Sequence, residues 1–230
     1  MKYKQTKRAI LALVLLFLAC PQFLSAQTKK HGFEGEGGLL YSKGLETEIS
    51  FYLGGKYNYW LNDYVALSGG GMVIHSYLDT YFSTSKATYD VEDHIINLAG
   101  SVGVKLSTPT VKGFGVEADA AFLFDPIPFN AVVMEKRYYS LHGDYRERDK
   151  TKMVFTQFNP SYHLQVGLFY EKKQQTGVLR FTLGAGLTNY NPYQPYYRAK
   201  IDGVRLKDEL TLRPDRQSLS IFFRVSGFAL

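Results

Sequence analysis

The chain has 230 residues but a single cysteine, Cys20, and a single tryptophan, Trp60. One cysteine excludes a disulfide scaffold and a cysteine-based zinc centre. Beyond the N-terminal leader there is no apolar run of ~18 residues, so a helical membrane protein is excluded too. Charge of one sign is also scarce. The formal +6 rests largely on Lys2, Lys4, Lys7 and Arg8. Without those four the 27 basic residues fall to 23, against 21 acidic, a formal +2. So small an excess is no argument for a nucleic-acid partner. A hydrophobic fraction of 45% excludes a disordered chain.

What is present begins with an address. The four basic residues precede an unbroken apolar run, residues 9–19, and Leu24-Ser25-Ala26 offers a small-residue cleavage site before Gln27. This is the pattern of a secretory signal peptide over residues 1–26. It leaves residues 27–230 as one domain. The rival processing is a lipoprotein cleavage that makes Cys20 the new N-terminus.

The rest of the chain alternates with period two, the signature of strands with one apolar face. In residues 48–61, Ile49, Phe51, Leu53, Tyr57 and Tyr59 oppose Glu48, Ser50, Gly54, Lys56 and Asn58. The same pattern recurs over residues 94–107, 114–124, 158–171, 178–190 and 218–226. Residues 31–41 and 64–77 complete eight strands. In the second of these, Gly69-Gly70-Gly71 suggests a bulge that switches the apolar face from Val65 and Leu67 to Met72 and Ile74. Connections alternate between tight turns (62–63, 108–113, 172–177) and a set holding every long one (42–47, 78–93, 125–153, 191–215). An up-and-down transmembrane β-barrel has this asymmetry, with short periplasmic turns and long outer loops.

A lipocalin-type barrel alternates as well, with its apolar side inside. Three features favour apolar-out. The polar faces are mostly Gly, Ser, Thr, Asn and Gln, which suit the narrow lumen of eight strands. The apolar faces run for five or six positions, matching a tilted crossing of ~9–11 residues. Aromatics bracket the strands, with Tyr57, Tyr59, Trp60, Tyr64, Phe114, Tyr170 and Phe228 at one boundary. Tyr41, Tyr77, Phe122, Phe124, Phe158 and Tyr190 mark the other.

On these residues, and on a last strand ending Phe223-Arg224-Val225-Ser226-Gly227-Phe228, the chain resembles small bacterial outer-membrane β-barrels of the OmpA/OmpX/OmpW type. The resemblance covers about residues 31–228 and rests on pattern rather than a diagnostic motif. It implies an eight-stranded antiparallel barrel in the outer membrane of a Gram-negative cell, with loops facing the exterior. Outer-membrane lipid and the assembly machinery would be its partners, with Phe228 as assembly signal. It implies no single activity.

The inward phase holds charges of both signs: Glu34, Glu36, Lys56, Lys105, Glu117, Asp119, Arg180 and Arg224. Unpaired burial of any one would cost several kcal/mol, so a paired lumen plug is expected, with an ion path as the alternative. Pairing across the 108–113 turn sets Lys105 against Glu117, and closure brings Arg224 near Glu34 and Glu36. Loop tyrosines beside arginine suit contact surfaces. Tyr138, Tyr139, Tyr193, Tyr196, Tyr197 and Arg198 are therefore binding candidates, for lipopolysaccharide or another surface ligand.

Catalytic candidates are thinner. A rim lipid hydrolase or acyltransferase would need a nucleophile and base in reach. His75, Ser76, Asp79 and His94 could supply them, as could Ser140 and His142, while His163 reads as a lumen hydrogen-bonder. No metal-ligand spacing or cofactor motif stands out. The expectation is a non-enzymatic surface-structural or binding protein acting through its outer loops. A narrow pore or carrier and a rim lipid-modifying enzyme are the alternatives.

Overall fold

The computed structural model describes residues 31–84, 87–125, 134–140, 143–149, 160–175, 177–196, 200–201, 203–214 and 216–229. The leader, Cys20, His142, Phe158, Tyr197 and Arg198 lie outside them. Among the described residues no helix is long and apolar enough to cross a membrane.

The main strands are β1 (His31–Tyr41), β2 (Ile49–Trp60), β3 (Val65–Ser83), β4 (Thr88–Ser107) and β5 (Phe114–Phe124). A hairpin follows, β6 (Met134–Ser140) and β7 (Gly143–Asp149), and then β8 (Ser161–Gln174) and β9 (Gly177–Thr188). The pair β10 (Lys200–Ile201) and β11 (Val204–Arg205), with a helix Leu206–Glu209, precedes the last strand, β12 (Ser218–Ala229). Each of β1 to β5, β8, β9 and β12 pairs antiparallel with its neighbour in that order, and β12 pairs with β1. Eight strands thus close into an all-β, up-and-down barrel with no open edge along its wall.

The alternation decides which face points where. Phe51, Val166 and Ile221 are 59%, 58% and 62% exposed, whereas their chain neighbours Ser50, Tyr52, Gln165, Ser220 and Phe222 are buried. Tyr57, Tyr59, Tyr64, Phe114 and Tyr170 are exposed near the tight turns, and Tyr41 and Phe122 nearer the opposite end. Trp60, Tyr190 and Phe228 do not belong to these outer belts. Trp60 and Tyr190 are buried, and Phe228 follows the inward phase of β12, packing on Trp60 with ring centroids 5.8 Å apart.

Two sequence expectations change here. The register of β3 runs without a bulge against β2 from Ala66 to His75 and against β4 from Val65 to Ser83. Met72 and Ile74 need no phase switch, because the upper lumen is itself apolar. They pack there with Leu40, Tyr52, Ala99, Leu123, Tyr190 and Phe222. Nor is 78–93 a loop. β3 and β4 continue past the neighbouring strands to a turn after Ser83, closed by the Thr84 amide on the Ala87 carbonyl. Leu78, Phe82, Tyr89 and Val91 keep the inward alternation, so the strands propagate as long as that face finds cover. Above the barrel wall, Thr88 to Val91 of β4 also pair with β6, so part of the expected 125–153 loop is a hairpin continuing this sheet.

Small residues set the close approaches inside. A Cβ at Gly38 would overlap the Ile221 carbonyl and the Tyr52 ring, and one at Gly115 would overlap the Phe169 ring. Large lumen aromatics lie flat on the wall only because those positions carry no side chain.

Candidate functional site

The interior is filled in storeys, set by the registers of the strands. At the base Arg180 lies with its guanidinium carbon 3.8 Å from the Phe169 ring centroid, 5.1 Å from Phe228 and 5.7 Å from Trp60. It also pairs with Glu171 at 2.5 Å and Glu117 at 2.9 Å, so a cation is held between aromatic faces and carboxylates.

Above it sits the charged storey. Together with Arg180 below, Glu34, Glu36, Lys56, Lys105, Glu117, Asp119 and Arg224 are all buried, four acids against four bases. Arg224 has no exposed surface, and it is the hub. Its Nε donates to Glu36 at 2.8 Å, its Nη1 to Glu117 at 2.8 Å and its Nη2 to Gln165 at 2.6 Å. Glu36 lies directly opposite it in the β1–β12 register, and Glu34 Oε1 is 3.5 Å away. Lys56 Nζ donates to Asp119 at 2.8 Å. Lys105 pairs with Glu34 across the lumen.

The Lys105–Glu117 ion pair expected across the turn is present, but as a long one between residues that are not directly opposite. The register sets Lys105 opposite Asp119 and Ser107 opposite Glu117, and Lys105 Nζ is 3.9 Å from Glu117. The reason lies in the turn. It closes by a Val111–Phe114 bridge, with Lys112 and Gly113 at φ 54° and 87°, so its centre falls at the end of the connection rather than the middle.

Three neutral side chains complete the network. Gln165 donates to Glu36 at 2.6 Å and Asn58 to Glu34 at 2.8 Å, and the Gln165 amide lies 3.3 Å from the Tyr52 hydroxyl. Their only signal in the sequence is their inward phase. His163 lies one step higher, its Nε2 3.2 Å from Ser220 Oγ.

The apolar storey follows, and over it residues 189–196 and 203–214 fold into the barrel mouth. Tyr193, Tyr196, Leu206, Leu210 and Leu212 pack with Leu45 and with the inward face of the β3–β4 extension, Leu78, Phe82, Tyr89, Val91 and Ile95. Polar groups fasten this cap. The Tyr193 hydroxyl donates to the Tyr77 carbonyl at 2.8 Å, Asn97 Nδ2 to the Pro192 carbonyl at 2.8 Å, and Asn191 Nδ2 to the Leu212 carbonyl at 2.7 Å. Burial pushes the Tyr193 phenol up to about 12. Below the cap the Tyr190 hydroxyl donates to Asp125 at 2.9 Å, and burial raises that carboxyl above its ordinary range.

The loop-surface expectation is therefore corrected for two residues. Tyr193 and Tyr196 are 0% and 1% exposed, because their rings fill the mouth instead of facing outward. Tyr138 and Tyr139 lie on β6, opposite Tyr145 and Asp144 of β7. The rim-enzyme constellation also separates. Ser76 points inward, hydrogen-bonded to Ser50 at 2.7 Å, while His75 is on the outer phase, so a strand's period of two puts them on opposite sides of the wall. His75 and His94 do meet, Nε2 to Nδ1 at 3.2 Å. Among the described residues no group of three or more His, Cys, Asp or Glu side chains could hold a metal ion.

The closed barrel of eight antiparallel strands fits the small OmpA-like type that the sequence resembles. No family model matches the chain, and no curated protein does. Among solved structures it is similar to the N-terminal β-barrel domain of Pseudomonas aeruginosa OprF, at 12% identity over 85% of this chain and 96% of that one, with a TM-score of 0.37. The fold assignment rests on the strand pairing rather than on that likeness.

Proposed function

We propose that the chain is an outer-membrane barrel of a Gram-negative cell that conducts nothing and works through what it presents outside: a surface-structural or binding protein. The observation that carries the reading is the inversion of the usual burial pattern. A continuous apolar wall (Phe51, Leu67, Val102, Phe122, Val166, Leu183, Ile221) surrounds a charged and hydrogen-bonded interior. A soluble protein rarely exposes a contiguous apolar patch of more than a few hundred Å², whereas acyl chains require such a belt.

Non-conduction follows from the filled storeys. An ion entering from the mouth would have to displace the cap, then the apolar layer, then a buried network in which four acids face four bases. The side chains that remain for partners are those of the outer connections, with Tyr138, Tyr139, Tyr197 and Arg198 as the candidates for lipopolysaccharide or another surface ligand. The long connections share one end with the β3–β4 extension, which suits an exterior face. The assembly machinery would take the chain through its last strand. Phe228, turned into the lumen, supports that step by closing the barrel base rather than by offering a lipid-facing ring.

Planar-bilayer recording of the purified protein, with membrane fractionation, tests the reading. Recovery with the outer membrane and a baseline current are expected. A steady ohmic conductance supports the pore alternative, and recovery in the soluble periplasmic fraction removes the membrane assignment.

A further inference from the structure

The pair His75 and His94 takes no part in the lumen or the cap and stands at the upper edge of the belt, His75 opposite Phe51 of β2 and the His94 ring 5.0 Å from that of Tyr77. His75 is half-buried and His94 exposed, both in the outward phase of adjacent strands at the foot of the β3–β4 extension. Their register places Tyr77 opposite His94 and Ile96 opposite His75, so the two imidazoles meet diagonally. The ring centroids are 5.3 Å apart and the planes inclined by 23°. With Nε2 of His75 and Nδ1 of His94 3.2 Å apart, the facing nitrogens lie between the rings, edge towards edge.

That separation has a chemical meaning. Two nitrogens bound to one tetrahedral zinc at ~2.0–2.1 Å stand about 3.4 Å apart. Without a metal the pair shares one proton between the nitrogens. A cation can replace it if each neutral imidazole keeps its proton on the far nitrogen, with a small rotation aiming both lone pairs at the ion. Imidazole suits zinc, copper and nickel, and not the hard cations calcium and magnesium. Both strands are fixed by continuous pairing over the whole stretch, so the chelate is organised before the ion arrives.

We propose that His75 and His94 form a two-imidazole chelate for a divalent transition-metal ion on the outer wall of the barrel, clasping β3 to β4 where the sheet leaves the belt. Water fills the remaining coordination positions, since no third protein ligand completes a cluster among the described residues.

The test uses the folded protein in detergent micelles, titrated with Zn2+, Ni2+ and Cu2+ by calorimetry, with electron paramagnetic resonance of the copper form. One ion per chain is expected, with two nitrogen donors in the copper spectrum. His75→Ala and His94→Ala should each weaken binding about 100-fold, because the second ligand then loses its high effective concentration. His31→Ala, at the opposite end of the barrel, should leave binding unchanged. His94→Gln carries the same test should alanine disturb the hairpin. Calcium and magnesium should not compete. Absence of saturable binding, or binding that survives loss of both His75 and His94, overturns the proposal.

Discussion

Arg224 shows most directly what a single residue does here. It has no exposed surface and touches Glu36, Glu117 and Gln165, so its removal takes the nearest cation from Glu36, leaving Lys56 at 4.0 Å, and one of the cations from Glu117, which keeps Arg180 at 2.9 Å. Losing one partner of a buried pair costs ~3–5 kcal/mol, far more than an exposed pair would. Arg224→Met and Lys105→Met should each lower the thermal midpoint, read from the heat-modifiable mobility of the folded barrel. Adding Glu36→Gln to Arg224→Met should recover part of the loss, because it removes the carboxylate left without its nearest cation. Equal midpoints for wild type and both single variants would mean that the network is hydrated and worth little. Which residues face inward was legible in the sequence, because a period of two needs only neighbours along the chain. Which acid each base meets was only partly so. Lys105 finds Glu34 across the lumen, 71 positions away, and that contact exists only once the ring of strands has closed.

At the scale of elements, the cap is the part that alternation could not supply. Residues 78–93 carry the polar and charged side chains expected of a loop, yet Leu78, Phe82, Tyr89 and Val91 sustain the strand pattern beneath them. Their cover comes from Tyr193, Tyr196, Leu206, Leu210 and Leu212, more than a hundred residues later. Tyrosines in a loop read as an outer surface because local sequence holds no sign that the loop turns back. The Tyr193 hydroxyl sets a pH limit on this cap. Its folded-state pKa is about 12 against an ordinary 10.0, so the neutral phenol is favoured by folding. That stabilisation is complete below pH 10.0 and is lost as pH rises through about 12. Limited proteolysis of the 189–217 segment should accelerate over that window in the wild type. Tyr193→Phe should be cleaved somewhat faster at neutral pH, having lost a hydrogen bond worth about 1 kcal/mol, and should show a smaller alkaline step. An identical alkaline profile in the two proteins would assign the step to another group.

The whole molecule is a wall with the usual burial inverted: apolar side chains outside, salt bridges within. Closure needs both. The belt alone would aggregate in water, and the charged storey alone would not hold together in an open sheet. The two ends are sealed by different chemistry, an arginine among aromatic rings at the base and an apolar cap at the mouth. Deleting residues 194–213 should therefore remove the upper seal without opening a path, and bilayer current should stay at baseline because Arg224 and its carboxylates still fill the lumen. A current appearing on that deletion would make the cap the sole barrier and the charged storey permeable. The barrel and its strand count were legible because apolar and polar faces alternate through every crossing. The β6–β7 hairpin was not, since its seven-residue strands carry few apolar positions.

The account depends above all on which face of the wall meets lipid. Spin labels placed by Phe51→Cys, Val166→Cys and Ile221→Cys, one at a time in a cysteine-free background reconstituted in bilayers, read this by power saturation. All three should relax strongly with oxygen, which partitions into acyl chains, and weakly with a water-soluble nickel chelate. Strong relaxation by the chelate at those positions, or labels shielded from both, would contradict the account and turn the barrel inside out.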